Sequence, residues 1–488
     1  MTLVLTAYCL LIKERKIDMR RIAATTLIVL TLYGCMAGAG CKRPQVETPQ
    51  SWRFGEKETK NIIDTAWWQQ FKDPVLNELI ATALRENKDL KIAAARLDEF
   101  IGRYAVTRAA LFPQVGANAG LERERSTQLG QEALPAGTPN PFYQYQASLS
   151  ASWEIDLWGK LRYATEAARA ALLSTEEGRK SVILSLVTSV ANSYVNLRDL
   201  DRQLDIARQT AKLREETYHI FNIRFQAGYV SELELSQAKS DLEQVLATIP
   251  PLEKSIAQQE NALCVLLGRN PGPIPRGKSI DDLGMPGIPA GLPSDLLSQR
   301  PDIRQAEQNL ISANAQIMVA RAQYFPDISL TGMFGYESIK LASLFSGPAR
   351  IWNWAVPLTA PIFTGGAIAG QIKEAEAIQK ETLLQYQQAI QNAFRDVEDS
   401  LVDQHRTREQ LEALTRQVEA LRTYARVARL RYDNGYTSYI EVLDAERSLF
   451  SAELNYAQTQ GTLFQSLVNL YKAMGGGWVV AADDLSKQ

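Results

Sequence analysis

The sequence predicts a mixed α and β membrane protein built on an internal two-fold repeat, with four strands and several very long helices per chain. Three observations carry this. Two eleven-residue stretches, "RFQAGYVSELE" from 224 and "RYDNGYTSYIE" from 431, echo each other 207 residues apart. No glycine or proline interrupts the chain from Gln371 to Asn434. One segment, "YQYQASLSASW" (143–153), alternates apolar and polar residues along its whole length.

The helices are justified by their spacing. Apolar residues recur at Ile183, Val187, Val190, Tyr194, Leu197, Leu200, Leu204, Ala207 and Ala211, and again at Leu411, Leu414, Val418, Leu421, Ala425 and Ala428. Steps alternating between three and four form a coiled-coil seam. At 1.5 Å per residue, Gln371 to Asn434 would reach roughly 96 Å. Ordinary bundle helices average about 11–12 residues. Each echo places a glycine, Gly228 or Gly435, after a long helical pattern, where a left-handed C′ residue suits it. Ser231 with Glu234, and Ser438 with Glu441, then read as capping boxes that start a new helix. Each echo is therefore a tight helix reversal.

The repeat extends further. "DLKIAAARLDEFIGRYAVTRAALFPQ" from Asp89 aligns without a gap on "DIRQAEQNLISANAQIMVARAQYFPD" from Asp302. A Pro- and Gly-rich linker, 270–293, joins the halves. The first copy, with its N-terminal segment, covers 35–292 and the second 293–478, leaving a tail at 479–488. Within them strands fall at about 114–126, 142–157, 326–338 and 350–363, and long helices at about 160–268 and 370–475.

The strands suit lipid. Tyr143, Tyr145, Ala147, Leu149, Ala151 and Trp153 face one way, and Gln144, Gln146, Ser148, Ser150 and Ser152 the other. In the second copy Ile328, Leu330, Gly332, Phe334 and Tyr336 alternate similarly, as do Trp352, Trp354, Val356 and Leu358. Segments of about 9–11 residues can cross a bilayer when tilted. A soluble sheet with one buried face would read the same way. Open edges cannot sit in lipid, and four strands cannot close a barrel. Three chains supply twelve, so the expectation is a trimeric transmembrane β-barrel continued by a helical coiled-coil barrel.

The N-terminus reads as an address. Residues 1–18 look like an upstream extension. From Met19, Arg20 and Arg21 precede an apolar run, Ile22 to Leu32, that is too short to span a bilayer and fits a signal peptide, which with the extension makes 1–34. Leu32, Gly34 and Cys35 form a lipobox-like end, making Cys35 the favoured lipid-attachment residue. Cys41 in "GAGC" is the second candidate, and ordinary cleavage near "MAGAG" the third reading.

Composition excludes other classes. The 488 residues are 45% hydrophobic and 22% charged, with net charge −2, so no nucleic-acid partner is expected. His219 and His405 stand alone, and Cys9, Cys35, Cys41 and Cys264 form no CxxC pair, so no metal site or cofactor is expected. Glu154 and Asp156 in "WEIDLWG" lack the surroundings of a catalytic acid pair, and no enzyme motif appears.

Five segments carry a family resemblance: "WWQQFKDPVLNELIATALRENKDL" (67–90), "WEIDLWGKLR" (153–162), "LPSDLLSQRPDIRQAE" (292–307), "AFRDVEDSL" (393–401) and "RYDNGYTSYIEVLDAERSLFSAE" (431–453). From Cys35 onward the chain resembles the TolC-type outer membrane factors, in their NodT/OprM-like lipoprotein branch. The resemblance implies an outer-membrane exit duct with an equatorial α/β region, its helical barrel in the periplasm. It also implies a homotrimer, a periplasmic adaptor and an inner-membrane pump of the RND class. Tyr432, Ile440, Asp444 and Arg447 would then form a periplasmic gate. Gly228, Tyr229, Ser231, Gly435, Tyr436 and Ser438 would contact the adaptor. The spacing from Asp444 to Arg447 permits an ion pair within one helix. Competing expectations are an exit duct for type I protein secretion and a non-conducting coiled-coil scaffold.

Overall fold

The computed structural model describes residues 49, 52–54, 66–127, 139–287, 296–475, 479, 482 and 483. The predicted signal segment and Cys9, Cys35 and Cys41 lie outside the described residues, as do 288–293 of the linker and most of the tail. The chain divides into two compact units that interleave segments of both sequence halves.

The first unit, Arg103–Arg169 with Ile311–Lys380, holds every described strand. The strands are β1 Gln114–Glu124, β2 Phe142–Glu154, β3 Asp327–Ser338, β4 Arg350–Ala355 and β5 Leu358–Thr359. They form one antiparallel sheet in the order β1-β2-β3-β4, with β5 also on β3, so β1 and β4 are its edges. The register stacks like on like. Ala117 faces Leu149, Leu149 faces Phe334 and Phe334 faces Trp352. One row over, Asn118 faces Ser148 and Ser148 faces Gly335.

Burial separates a soluble sheet from a lipid-facing one. A soluble sheet hides its apolar face. Here Leu149 is 55% exposed, Trp352 67% and Trp354 68%, whereas Ser148 on the opposite face is 8% exposed. Nothing among the described residues covers the apolar face.

The fourth predicted strand, 350–363, is corrected. It breaks after Ala355 and stops at Thr359. Pro357 has no N–H for the ladder. The register survives the break: Thr331 faces Ala355, Ile328 faces Leu358, and the Pro357 carbonyl still accepts from Ser329 N at 3.1 Å. The strand predicted over 142–157 stops at Glu154 because Asp156 is taken for another task. Its carboxylate accepts from Leu161 N at 3.1 Å and Arg162 N at 2.9 Å, capping a long helix. Trp158 anchors the same turn, stacking on Phe325 at 4.8 Å and donating to the Pro326 carbonyl. Glu154 is tied to Lys160 at 2.8 Å.

The longer helices are α1 Pro74–Glu86, α2 Lys88–Ala109, α3 Lys160–Gln226, α4 Glu232–Leu246, α5 Ile249–Leu266, α6 Pro301–Ala322, α7 Ala367–Asp433 and α8 Tyr439–Ala473. α2 and α6 have 22 residues each, and α3 and α7 have 67 each. α8 runs unbroken, but its counterpart is split into α4 and α5 at Pro250 and Pro251, which enter the first turn of α5. The predicted seams turn inward. Ile183, Val187, Val190, Tyr194, Leu197, Leu204, Ala207 and Ala211 are buried and Leu200 half-buried. On α7, Val418, Ala425 and Ala428 are buried and Leu411, Leu414 and Leu421 half-buried.

The second unit packs its core where the N-terminal segment, the linker and the helices meet. Trp67, Trp68 and Phe71 join Ile183, Tyr194, Leu263, Ile280 and Phe464 in one cluster. Each fully buried side chain of this size contributes about 1.5–3 kcal/mol. Trp67 stacks on Tyr471 at 5.1 Å. Asp73, fully buried, holds three segments together: it caps α1 through Val75 N and accepts from Tyr194 Oη at 2.8 Å and Lys278 N at 3.0 Å. Arg300 does the same in the second half. It meets Asp302 at 2.7 Å and Asp396 at 3.2 Å and donates to the Ala473 carbonyl.

α3 and α8 meet closely at Gly461, where an added Cβ would lie 2.9 Å from the Asp199 Cβ. Asp199 is 5% exposed and accepts from Gln203 Nε2 at 3.0 Å. Burial pushes its carboxyl up to about 6, with the Gln203 amide opposing. A carboxyl raised by folding is stable as the acid: its contribution is intact below the ordinary value of 3.8 and is lost as pH climbs through about 6. Asp199→Asn is therefore expected to be about 3 kcal/mol more stable than the unaltered chain near pH 8. The gap should close towards pH 4 in denaturation midpoints; parallel pH profiles would refute this.

Candidate functional site

Both helix reversals are built alike at the backbone. Gly228 (φ 76°) and Gly435 (φ 78°) adopt the left-handed conformation. Gly228 N donates to the Phe225 carbonyl and Tyr229 N to the Arg224 carbonyl; Gly435 N and Tyr436 N bond Tyr432 and Arg431 in the same pattern. This is the Schellman arrangement, which satisfies the last carbonyls of a helix. The hydrophobic contact that commonly accompanies it is missing. Tyr229 is 83% exposed and Tyr436 77%, so two aromatic rings stand in solvent at the tips.

The starts of the return helices differ. At Ser231 the capping box is complete: Glu234 N donates to Ser231 Oγ at 3.3 Å, and Ser231 N donates to the Glu234 carboxylate at 2.9 Å. A cap of this kind contributes about 1 kcal/mol. The second predicted box does not form. Ser438 sits at the N-cap with extended backbone but its side chain makes no capping bond. Its intended partner, Glu441, is held by the Thr437 hydroxyl and by Arg431 Nη1 at 3.0 Å. Thr437 stands where the first copy has Val230, which has no hydroxyl to offer.

Behind the tips lies a small apolar core. Phe221, Ala428, Tyr439, Val442 and Leu443 are buried together, with Tyr432 half-buried against them. Tyr432 stacks on Phe221 at 6.2 Å. The Tyr439 hydroxyl is buried without a hydrogen-bond partner among the described residues. Burial raises its pKa, helped by the nearby Glu446 charge.

Of the four predicted gate residues, Ile440, Asp444 and Arg447 form one exposed stripe along α8, at the i, i+4, i+7 spacing of a helix face. Tyr432 is apart from them, in the apolar core. Asp444 accepts from Tyr424 Oη at 3.3 Å. The ion pair that the spacing permits between Asp444 and Arg447 does not form. Arg447 Nε instead reaches across to Asp241 on α4 at 2.7 Å.

Asp241 is the residue that sequence reasoning missed. It is 1% exposed and serves two arginines. Arg214 Nε on α3 approaches its other oxygen at 2.6 Å, close enough for an ion pair but not aligned as a hydrogen bond. Arg214 also pairs with Glu446 on α8. Burial raises the Glu446 carboxyl, opposed by the adjacent Arg214. The quartet ties three helices together just behind the reversals. No group of His, Cys, Asp and Glu among the described residues could hold a metal ion. No described helix is long and apolar enough to cross a membrane.

An uncovered apolar sheet joined to 67-residue helices defines a class, the channel-forming proteins of the bacterial envelope. Comparison with known proteins is specific. Residues 79–269 and 292–476 match the model of the family described as outer membrane efflux protein. The toluene efflux pump outer membrane protein TtgF of Pseudomonas putida is 34% identical over 94% of this chain and 96% of its own length. The cation efflux system protein CusC of Escherichia coli is 35% identical over 92% and 97%. The open-state MtrE outer membrane channel of Neisseria gonorrhoeae superposes with a TM-score of 0.82 at 33% identity, over 91% of this chain and 99% of that one. The chain belongs to the outer membrane efflux protein family, and it is an outer-membrane efflux channel.

Asp241→Ala removes the carboxylate between two guanidinium groups, one of them buried. It is expected to cost about 3 kcal/mol. Arg447, 44% exposed in its side chain, is better screened, and Arg447→Ala should cost under about 1 kcal/mol. Thermal midpoints in detergent check the order; the reverse order would contradict the assignment.

Proposed function

We propose that three copies of this chain form one passive exit duct. The observation that carries the reading is the sheet, which among the described residues leaves its apolar face bare and both edge strands, β1 and β4, without outer neighbours. In lipid each edge N–H and C=O needs a partner. Joining β4 of one copy to β1 of the next satisfies them and closes twelve strands, within the range of known barrels. The 67-residue helices then continue the duct as a coiled-coil barrel in the periplasm, with the unit around Trp67 and Asp73 as its equatorial region. Matching lengths support descent from one duplicated plan: α2 with α6, and α3 with α7.

The chain carries no motif for hydrolysing a nucleotide, so the driving force lies elsewhere. A periplasmic adaptor would dock on the exposed tips at Gly228, Tyr229, Ser231, Gly435, Tyr436 and Ser438, and an inner-membrane pump of the RND class would supply the energy. Acylation of Cys35 would add a lipid anchor. Three copies of Ile440 and Asp444 about the axis would make an apolar ring and an acidic ring, with Arg447 restrained by Asp241 and Tyr432 packed behind. The relatives are named for efflux, which favours this reading over protein secretion. The cargoes in their names, toluene and cations, span two chemistries, so the cargo follows from the pump.

Purified protein in planar bilayers is expected to give discrete current steps with cation preference, as an acidic ring dictates. Asp444→Ala should move the reversal potential towards anions. Absence of current from both proteins would instead support a non-conducting scaffold. Replacing Cys35 by Ser should abolish incorporation of labelled fatty acid, and retained label would move the anchor to Cys41.

A further inference from the structure

The sheet sorts its charges by face. Residues opposite each other in antiparallel strands lie on the same face. Arg123 stands opposite Tyr143, and Arg350 opposite Tyr336, on the bare apolar face. Glu122 stands opposite Gln144, Glu124 opposite Phe142 and Glu337 opposite Gln146, on the other face. All five charged residues are exposed and lie at the hairpin end of the strands, away from the long helices. No strand residue on the apolar face is acidic. Neither arginine has a carboxylate partner among the described residues. The Arg123 guanidinium lies 5.3 Å from the centre of the Tyr143 ring, and Tyr336 meets Phe345 edge-on at 5.5 Å. A cation beside an aromatic ring, and a second cation paired in register with a tyrosine, at one end of an apolar band have the composition of an interfacial belt.

We propose that this belt binds the phosphate-bearing headgroups of anionic membrane lipid through Arg123 and Arg350, an inference that rests on the sheet crossing the outer membrane. A planar guanidinium offers paired N–H donors that match a phosphate. Its apolar stem lies along the acyl-facing surface while the head reaches the polar boundary. The arginines stand on opposite edge strands, three strand spacings apart and four residues offset in register, about 20 Å in all, so each serves its own headgroup. The carboxylates on the other face are kept away from the lipid, where they would repel it.

The test uses the full chain reconstituted in phosphatidylcholine vesicles with increasing phosphatidylglycerol. Trp153, Trp352 and Trp354 on the apolar face report contact through quenching by brominated lipid. Expected is preferential quenching by brominated phosphatidylglycerol, falling about fivefold for each of Arg123→Gln and Arg350→Gln, roughly the effect of one cation near an anionic surface. The lysine variants should keep part of the preference, and inorganic phosphate at constant ionic strength should not displace the lipid. A preference unchanged in the double glutamine variant, or displacement by inorganic phosphate, would overturn the proposal. Quenching of that variant by brominated phosphatidylcholine confirms that it still folds and inserts. If unaltered protein is quenched by neither lipid, the membrane-spanning reading fails too; quenching by both alike defeats only the headgroup contact.

Discussion

Backbone hydrogen bonding in an apolar medium is the constraint from which the rest of this molecule follows. A sheet whose inner strands are fully paired but whose edges are open is stable in water and intolerable in lipid. The chain nevertheless turns its tryptophans and leucines outward on that sheet and keeps serines and glutamines behind them. Stability of such a sheet in lipid is therefore inseparable from the pairing of its edges. The break at Pro357 shows how far the ladder can be interrupted when register is kept.

The segments that carry the family resemblance prove to be structural ties as much as functional ones. Asp73 in "FKDP" joins α1, α3 and the linker through three hydrogen bonds. Asp156 in "WEIDLWG" starts a 67-residue helix at the point where a strand must stop. Arg300 in "QRPDIR" pairs with Asp302 of the same segment and with Asp396 of "AFRDVED". Each is a buried or half-buried polar group that would be costly without its partner. Very long helices have few internal constraints on where they begin, end and cross, and these ties supply them.

The reversals show the same economy with different detail. The left-handed glycine and its two backbone bonds are reproduced at both tips, since only the chain path matters there. The side chains diverge: Val230 leaves Glu234 free to close a capping box, whereas Thr437 and Arg431 draw Glu441 away from Ser438. The polar quartet behind the tips is asymmetric too, since Asp241 on α4 restrains Arg447 on α8.

Much of this was legible in the residues themselves. Periodicity of two and of three-and-four determined strands and helices, because each period places one face against a different medium. Glycine spacing determined the reversals, since few other residues tolerate a positive φ. Residues far apart in sequence decided the remainder. Whether the apolar face of β2 is covered, whether Arg447 turns to Asp444 or to Asp241, and whether Glu441 caps its own helix are competitions between local and distant partners. Local spacing lists the partners within reach along one helix or strand; only packing brings the others close and buries them, and burial is what decides which pairing wins.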